Sequence, residues 1–291
     1  MNDSSHENRY RARFLRVLSY VDAHLDDSLD IAVLAEVAAF SPFHFQRQFS
    51  AMFGISIGRY VQLQRLRQAS LQLAFRENAV TDVALSGGYE AAEAFSRAFR
   101  RQFGVSPTMF REEPDWFRWH EAFDPLQRAG VSTDMDFSTQ LQIENTDTIA
   151  VGVLAHRGDP RTIGDSIRRF IAWRKANGLA PQRSRTFNVF HTPPDVDPGD
   201  YRMDLCAEVR SSDVSLDEGM ALSSIPGGRI AVVHHRGPDT EMAAAFHWLY
   251  AVWLPQSGEE MRDFPPYLER LSFYPDVPEA QAEWRAALPL R

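Results

Sequence analysis

The chain has 291 residues, 44% of them apolar, which is long enough for two ordinary domains and apolar enough for a packed core in each. No run of about eighteen apolar residues occurs, which excludes a membrane-spanning helix, and a single cysteine, Cys206, excludes an internal disulfide framework or a cysteine-based zinc site. The net charge of −8 is unevenly spread: residues 40–111 hold nine Arg against four acidic residues, whereas residues 119–291 hold seventeen basic against twenty-five acidic, so one half suits phosphates and the other would be repelled by them.

The opening residues, MNDSSHENRYRARF, lack the apolar core of a signal peptide, and a cytoplasmic protein with no membrane partner is expected. Phe14, Leu18, Val21 and Leu25 step by three and four, which predicts an amphipathic helix that closes the first domain. DIAVLAEVAAFSP follows, with Asp30 as the expected N-cap of a short helix and Ser41-Pro42 opening the next. That next helix, FHFQRQFSAMFGIS over 43–56, carries Phe45, Phe49 and Phe53 on one stripe and stops at Gly54, which tolerates positive φ. SIGRYVQLQRLRQASLQLAFRE then places Tyr60, Leu63, Leu66, Ala69 and Leu73 on one helical face. AVTDVALSGGYEA predicts a short helix beginning near Thr81 or Asp82 and a turn at Gly87-Gly88. Finally EAFSRAFRRQFGVS over 93–106 repeats the earlier helix fifty residues on: Phe95, Phe99, Phe103, Gly104 and Arg97 echo Phe45, Phe49, Phe53, Gly54 and Arg47. Helix, tight turn, helix is the helix-turn-helix outline, and it occurs twice. A rigid spacer of about twenty residues spans roughly 30 Å, close to the ~34 Å between successive major-groove faces on one side of DNA.

With these residues in place, the chain over 9–112 resembles the DNA-binding domain of AraC/XylS-family regulators; the run GYEAAEAFSRAFRRQFGVSPTMFR is specific to that family. The resemblance implies an all-α domain whose two helix-turn-helix units read successive major grooves of promoter DNA, with RNA polymerase as a further partner. It places base-facing positions at Phe43, His44, Gln46 and Arg47 in the first recognition helix and at Ala91, Ala92, Glu93, Ser96 and Arg97 in the second. Arg47 and Arg97 can fork onto guanine and Gln46 onto adenine. Ala91 and Ala92 offer apolar contact only, so the first unit is expected to carry more of the specificity. Taken alone, Arg47 and Arg97 are equally compatible with solvated surface or an internal ion pair.

Residues 113–137 hold Pro114, Trp116 and Trp119 and read as a linker with a short docking helix. Beyond it a second echo appears: VGVLAHRGD at 151–159 answers IAVVHHRGP at 230–238, and Trp173 with Asn177-Gly178 answers Trp253 with Ser257-Gly258. Each half reads as strand, HRG turn, amphipathic helix and two further strands. The alternation of Tyr201, Met203, Leu205, Ala207 and Val209 marks half-buried antiparallel pairing. The fold expected for 138–291 is α+β: duplicated β-α-β-β modules forming an antiparallel sheet, with a cleft between their two helices.

This half is similar to the GyrI-like effector-binding domain, on the strength of HRGDPRTIGDSIRRFIAWRKANGL and of PGGRIAVVHHRGP with WLPQSG. The resemblance implies an aromatic-lined cleft with one buried glutamate that takes a small lipophilic or cationic effector. The glutamate maps onto Glu269, and Tyr267, Trp173, Phe190, Trp248 and Trp253 are the candidate walls; Leu271 stands where the family carries an aromatic. Aromatic faces and one carboxylate suit a flat organic cation. On alternation alone Glu269 could face either way; turned inward among apolar walls, its carboxyl would titrate high without ligand. Some domains of this type hydrolyse small molecules, which makes a Glu269 general base aided by Tyr267, or a purely sequestering cleft, the alternative to an effector sensor. No HExxH, nucleophile motif or phosphate loop is present, so no enzyme, cofactor or metal is expected; His156, His234 and His235 sit where they can satisfy backbone carbonyls.

Overall fold

The computed structural model describes residues 3–130, 135–193, 196–210 and 214–291; residues 131–134 of the expected linker lie outside the described residues. The chain divides into a helical unit, Met1–Val131 with Pro278–Gln281, and a sheet unit, Ser132–Val277 with Ala282–Arg291. Among the described residues, no helix is long and apolar enough to cross a membrane.

The helical unit runs α1 (Asp3–Ala23), α2 (Ile31–Val37), α3 (Pro42–Phe53), α4 (Ile57–Phe75), α5 (Val80–Ser86), α6 (Ala92–Phe103), α7 (Pro107–Glu112) and α8 (Trp116–Gly130). The caps follow the sequence closely. The Asp30 carboxylate accepts the Ala32 N–H at 3.0 Å, Pro42 takes the first position of α3, and Gly54 and Gly104 end α3 and α6 at φ 70° and 76°. Phe45, Phe49, Phe95 and Phe99 are fully buried, and so, within 4%, are Tyr60, Leu63, Leu66, Ala69 and Leu73 of α4. α5 begins one residue earlier than expected, at Val80, with Asp82 in its first turn where the helix dipole favours an anion.

Two features go beyond the expectation. The short docking helix expected through Trp116 and Trp119 runs for fifteen residues, and its Trp116, Trp119 and Phe123 belong to the same buried cluster as the two Phe stripes. Trp119 Nε1 donates to Ser70 Oγ at 2.7 Å, and the Trp116 ring stacks on Phe75 at 5.6 Å. The two helix-turn-helix turns also differ. Each has one residue in the left-handed region, Ala39 (φ 56°) in the first and Gly88 (φ 69°) in the second. Gly88 has no freedom to change: a Cβ there would lie 2.7 Å from the Leu25 carbonyl, to which Arg65 Nε donates at 2.9 Å.

The sheet unit is one antiparallel sheet in the order β1-β6-β8-β7-β3-β4-β2-β5. Its strands are β1 (Leu141–Thr146), β2 (Ile149–Arg157), β3 (Thr186–Phe190), β4 (Arg202–Glu208), β5 (Met220–Ile225), β6 (Gly228–Arg236), β7 (Tyr267–Arg270) and β8 (Glu283–Pro289). α9 (Ile163–Ala176) follows β2, and α10 (Met242–His247) follows β6, running on through a π-wound stretch, Trp248–Trp253, into α11 (Leu254–Ser257). β1 and β5 were not expected from the sequence, and their pairing shapes the sheet. β1 and β2 are separated by Asp147 and Thr148 alone, yet they stand six strand positions apart. A flat sheet would separate them by roughly 29 Å, whereas two linking residues reach only about 11 Å. The same holds for β5 and β6, joined through Pro226 and Gly227. The sheet must therefore curl until its two ends meet, and the two links are tied there: Gly227 N–H donates to Thr148 Oγ1 at 3.0 Å.

Curling gives the sheet an outer and an inner face, and strand alternation assigns every residue to one of them. α9 covers the outer face around Leu154, Leu205 and Ala207, and α10 covers it around Val233, Leu268, Ala286 and Leu288. The inner face carries a separate apolar cluster of Val151, Val153, Phe187, Val189, Cys206, Ile230, Val232, Tyr267 and Ala287.

Candidate functional site

The helical unit presents its candidate reading surface outward, as the Phe stripes require. With Phe45 and Phe49 turned into the core, Phe43, His44, Gln46 and Arg47 are exposed on α3. On α6, Glu93 and Arg97 are exposed, Ala92 and Ser96 are half-buried, and Ala91 is the exposed N-cap. Arg47 lies over the Phe43 ring, its guanidinium carbon 4.3 Å from the centroid. The nine arginines of 40–111 divide by what they touch. Arg59 bridges Gln62 and Gln102 at 2.8 and 2.7 Å, tying α4 to α6, and Arg65 holds the Leu25 and Asp27 carbonyls at 2.9 and 2.7 Å. Arg97, Arg100 and Arg101, all exposed on α6, have no hydrogen bond or ion pair among the described residues. Sequence reasoning singled out Arg97 but missed Arg100 and Arg101, whose signal was their place in the last turn of a helix whose other face is phenylalanine.

In the sheet unit the structure separates the predicted cleft residues. Glu269 and Tyr267 sit on the inner face, 5% and 4% exposed. Trp173 and Trp248, on the helices, and Phe190, on β3, lie on the other side of the sheet. Trp173 packs so closely on β2 that a Cβ on Gly152 would fall 2.3 Å from its ring; Trp248 is buried with Leu268 and Trp284, and Trp253 packs half-buried against that group. Phe190 meets Phe246 edge-on at 5.4 Å. The expectation that these aromatics wall a cleft around Glu269 is thus corrected: one-residue alternation in β3 and β7 puts Phe190 and Leu268 outward when Phe187 and Glu269 point inward. Leu271 lies past the end of β7 and is 44% exposed.

The surroundings of Glu269 also differ from those expected. Arg185 donates to both its oxygens, Nε to Oε1 at 2.6 Å and Nη2 to Oε2 at 3.0 Å. Arg285, its partner across β8, donates to Oε2 at 3.0 Å and also bonds Glu144 of β1. Arg185 in turn stacks over Phe187, 4.9 Å from the centroid. Glu269 is therefore a buried carboxylate between two guanidiniums, not one in an apolar pocket, and it holds Arg185 more firmly protonated than usual. Burial, with the Glu269 charge added, pushes the Tyr267 phenol above its ordinary range and keeps it a neutral donor.

A second polar group on the same face had no sequence signal beyond alternation. On β4, Arg202, Asp204, Cys206 and Glu208 all point inward, opposite Val189 and Phe187. Asp204 Oδ2 meets His191 Nε2 at 2.7 Å and the Arg202 guanidinium at 3.6 Å. Asp204 Oδ1, Arg202 Nε and Glu208 Oε2 are buried without a hydrogen-bond partner among the described residues. Burial first, and then Asp204, pushes the Cys206 thiol far above the range in which it would react.

The histidines of the HRG turns are structural. His156 contacts Ser166 Oγ at 2.9 Å and the Asp159 carbonyl at 3.3 Å, while His235 contacts Gln140 Oε1 at 2.8 Å and Glu241 Oε2 at 2.6 Å. His234 is half out of the fold, 3.6 Å from Glu283. Among the described residues no three His, Cys, Asp or Glu side chains are grouped to hold a metal.

Two helix-turn-helix units on one helical scaffold, joined to a curled sheet with a polar-studded inner face, define a DNA-binding module of the AraC type carried with a small-molecule-binding module. Comparison with known proteins agrees. Residues 139–291 match the family described as "GyrI-like small molecule binding domain" and residues 34–113 match "Helix-turn-helix domain". The chain belongs to the GyrI-like family and carries an AraC-type helix-turn-helix domain. "Probable transcriptional regulator YgiV" of Escherichia coli (strain K12) is 32% identical over 145 residues, covering 49% of this chain and 91% of that protein. "Regulatory protein SoxS" of the same strain is 34% identical over 95 residues, covering 33% of this chain and 89% of that protein. "Right origin-binding protein" of that strain is 32% identical over 100 residues, but the match spans only 35% of its length.

Proposed function

We propose that this chain is a promoter-binding transcriptional regulator whose GyrI-like half senses a small effector. The observation that carries the reading is that Arg47 and Arg97 occupy the same place on two like helices and both are exposed. On this reading α3 and α6 enter successive major grooves. Arg47 and Arg97 fork onto guanine, Gln46 onto adenine, and Ala91 and Ala92 make apolar contacts, with Phe43, His44, Glu93 and Ser96 at the flanks. Arg100 and Arg101 face phosphate. The nineteen residues of α4 span about 28 Å, which suits the groove spacing. RNA polymerase is the further partner, and the cytoplasm the setting.

The effector reading rests on the inner face of the sheet. The palindromic strand order supports duplicated β-α-β-β modules, related by an axis between β3 and β7. Phe187 and Tyr267 would supply aromatic surface there, and Asp204 Oδ1 a free acceptor. A cationic effector would have to displace Arg185 from Glu269, whose two oxygens already accept guanidinium N–H bonds, whereas Asp204 Oδ1 carries no hydrogen bond among the described residues. The effector proposed is therefore a small lipophilic, aromatic-compatible molecule whose polar or cationic group meets Asp204. Hydrolysis with Glu269 as base is the weaker reading, because both carboxylate oxygens already accept guanidinium N–H bonds.

The test is binding of the full chain to duplexes selected from a randomised pool, at 50 and 200 mM salt. Several arginine–phosphate contacts predict at least about a ten-fold loss of affinity at the higher salt. Equal affinity at the two, or unchanged affinity in an Arg47→Ala/Arg97→Ala double variant, would overturn it.

A further inference from the structure

Every aromatic on the inward side of α3 is explained by the core, but Phe43 is not. It is the second residue of the helix and 61% exposed, the most exposed large apolar side chain among the described residues of the helical unit. A phenylalanine so placed contributes little to folding. Among the described residues its ring meets His44, edge-on at 5.8 Å, and the guanidinium of Arg47, 4.3 Å above the ring centre. Residues four apart lie one above the other on a helix, so the stack is built into the sequence F-x-x-x-R. The corresponding position of α6 is Glu93, which offers Arg97 no ring.

Resting on the groove-reading role of Arg47 above, we propose that Phe43 is a positioning residue that holds Arg47 ready to read its base. The guanidinium is planar and its five donors lie in the plane, so a ring against one face leaves the N–H fork free along the edge. A free arginine side chain must give up its rotamer freedom when it docks bidentately on guanine; one already stacked has given up much of it, and loses less on binding. The two recognition helices then differ in kind. The first presents a preordered arginine, and the second an arginine that orders only on contact.

The experiment uses the full chain and a randomised duplex pool, sequenced before and after binding. Arg47→Ala identifies the base pair that Arg47 reads, as the position where preference is lost. Phe43→Ala is expected to weaken preference at that same base pair by about five-fold, ~1 kcal/mol, with the other positions unchanged. Phe43→Trp restores it, because the stronger π face holds the guanidinium, whereas Phe43→Leu, apolar but without a π face, behaves like alanine. Preference retained in Phe43→Ala or Phe43→Leu, or lost at a different base pair, would overturn the positioning role while leaving Arg47 as a reader. If Arg47→Ala flattens no position, Arg47 is not a reader, and both assignments fall.

Discussion

The helical and sheet units are each written around an echo in the sequence, yet they put their functional groups on opposite sides of the polypeptide. In the helical unit the repeated Phe stripe is the inside and the functional residues are what is left outside. In the sheet unit the functional candidates are inside, on the inner face of a curled sheet, while the helices lie on the other face. The difference is one of geometry. A helix packed along one stripe has a single buried face, so its outward residues can be named from period 3.6 alone. A strand has two faces with the same alternation, and both can be buried; only strand order decides which of them is enclosed.

The largest effects should fall on the shared feature of the helical repeats. Phe49→Ala and Phe99→Ala, both fully buried, should each destabilise the helical unit by about 3–5 kcal/mol. Chemical denaturation would expose an error in the equivalence of the two repeats if one cost less than half the other. Next, the buried carboxylate of the inner face: Glu269→Gln places an amide N–H₂ against two guanidiniums and should cost about 3 kcal/mol in the sheet unit. A change below ~1 kcal/mol would mean that Glu269 is not held as described. On the outer face, Gly152→Ala drives a methyl into the Trp173 ring, which cannot swing away because its Nε1 is bonded to the Ser215 carbonyl at 2.7 Å. Overpacking of this kind should cost about 1–3 kcal/mol; a neutral substitution would contradict the packing of α9. The smallest effect sharpens the contrast between the two turns. Ala39→Gly should stabilise by up to about 1 kcal/mol by relieving a left-handed alanine, whereas Gly88→Ala should destabilise, since its Cβ has no room. Melting temperatures moving in the same direction would show that the turns are not equivalent.

Much of the helical unit was legible in the sequence because helices declare themselves locally. The caps at Asp30 and Gly54 and the stripe from Tyr60 to Leu73 needed no knowledge of the fold. α8 was undervalued because Pro114 and two tryptophans look like linker punctuation, and nothing local says that Trp119 reaches Ser70, forty-nine residues back. In the sheet unit the strand, turn and helix order could be read, but the inward turn of Glu269 was implied only by the family resemblance, since alternation fits either face. Its neighbours could not be read. Arg185 and Phe187 share its face only through the register Phe187↔Glu269, a pairing across eighty-two residues that no periodicity encodes. Phe190, the β3 aromatic expected beside Glu269, faces the other side for the same reason, and Phe187 stands in its place.

The two-residue links at Asp147–Thr148 and Pro226–Gly227 have a consequence for how this domain comes apart. β1 leads into β2 but bonds β6, and β5 leads into β6 but bonds β2. The two halves are thus interlaced at their margins as well as joined at the centre, and neither can detach without stripping a strand from the other. Amide hydrogen exchange should find both halves opening in one event, and a fragment holding a single half should stay unfolded for want of its borrowed edge.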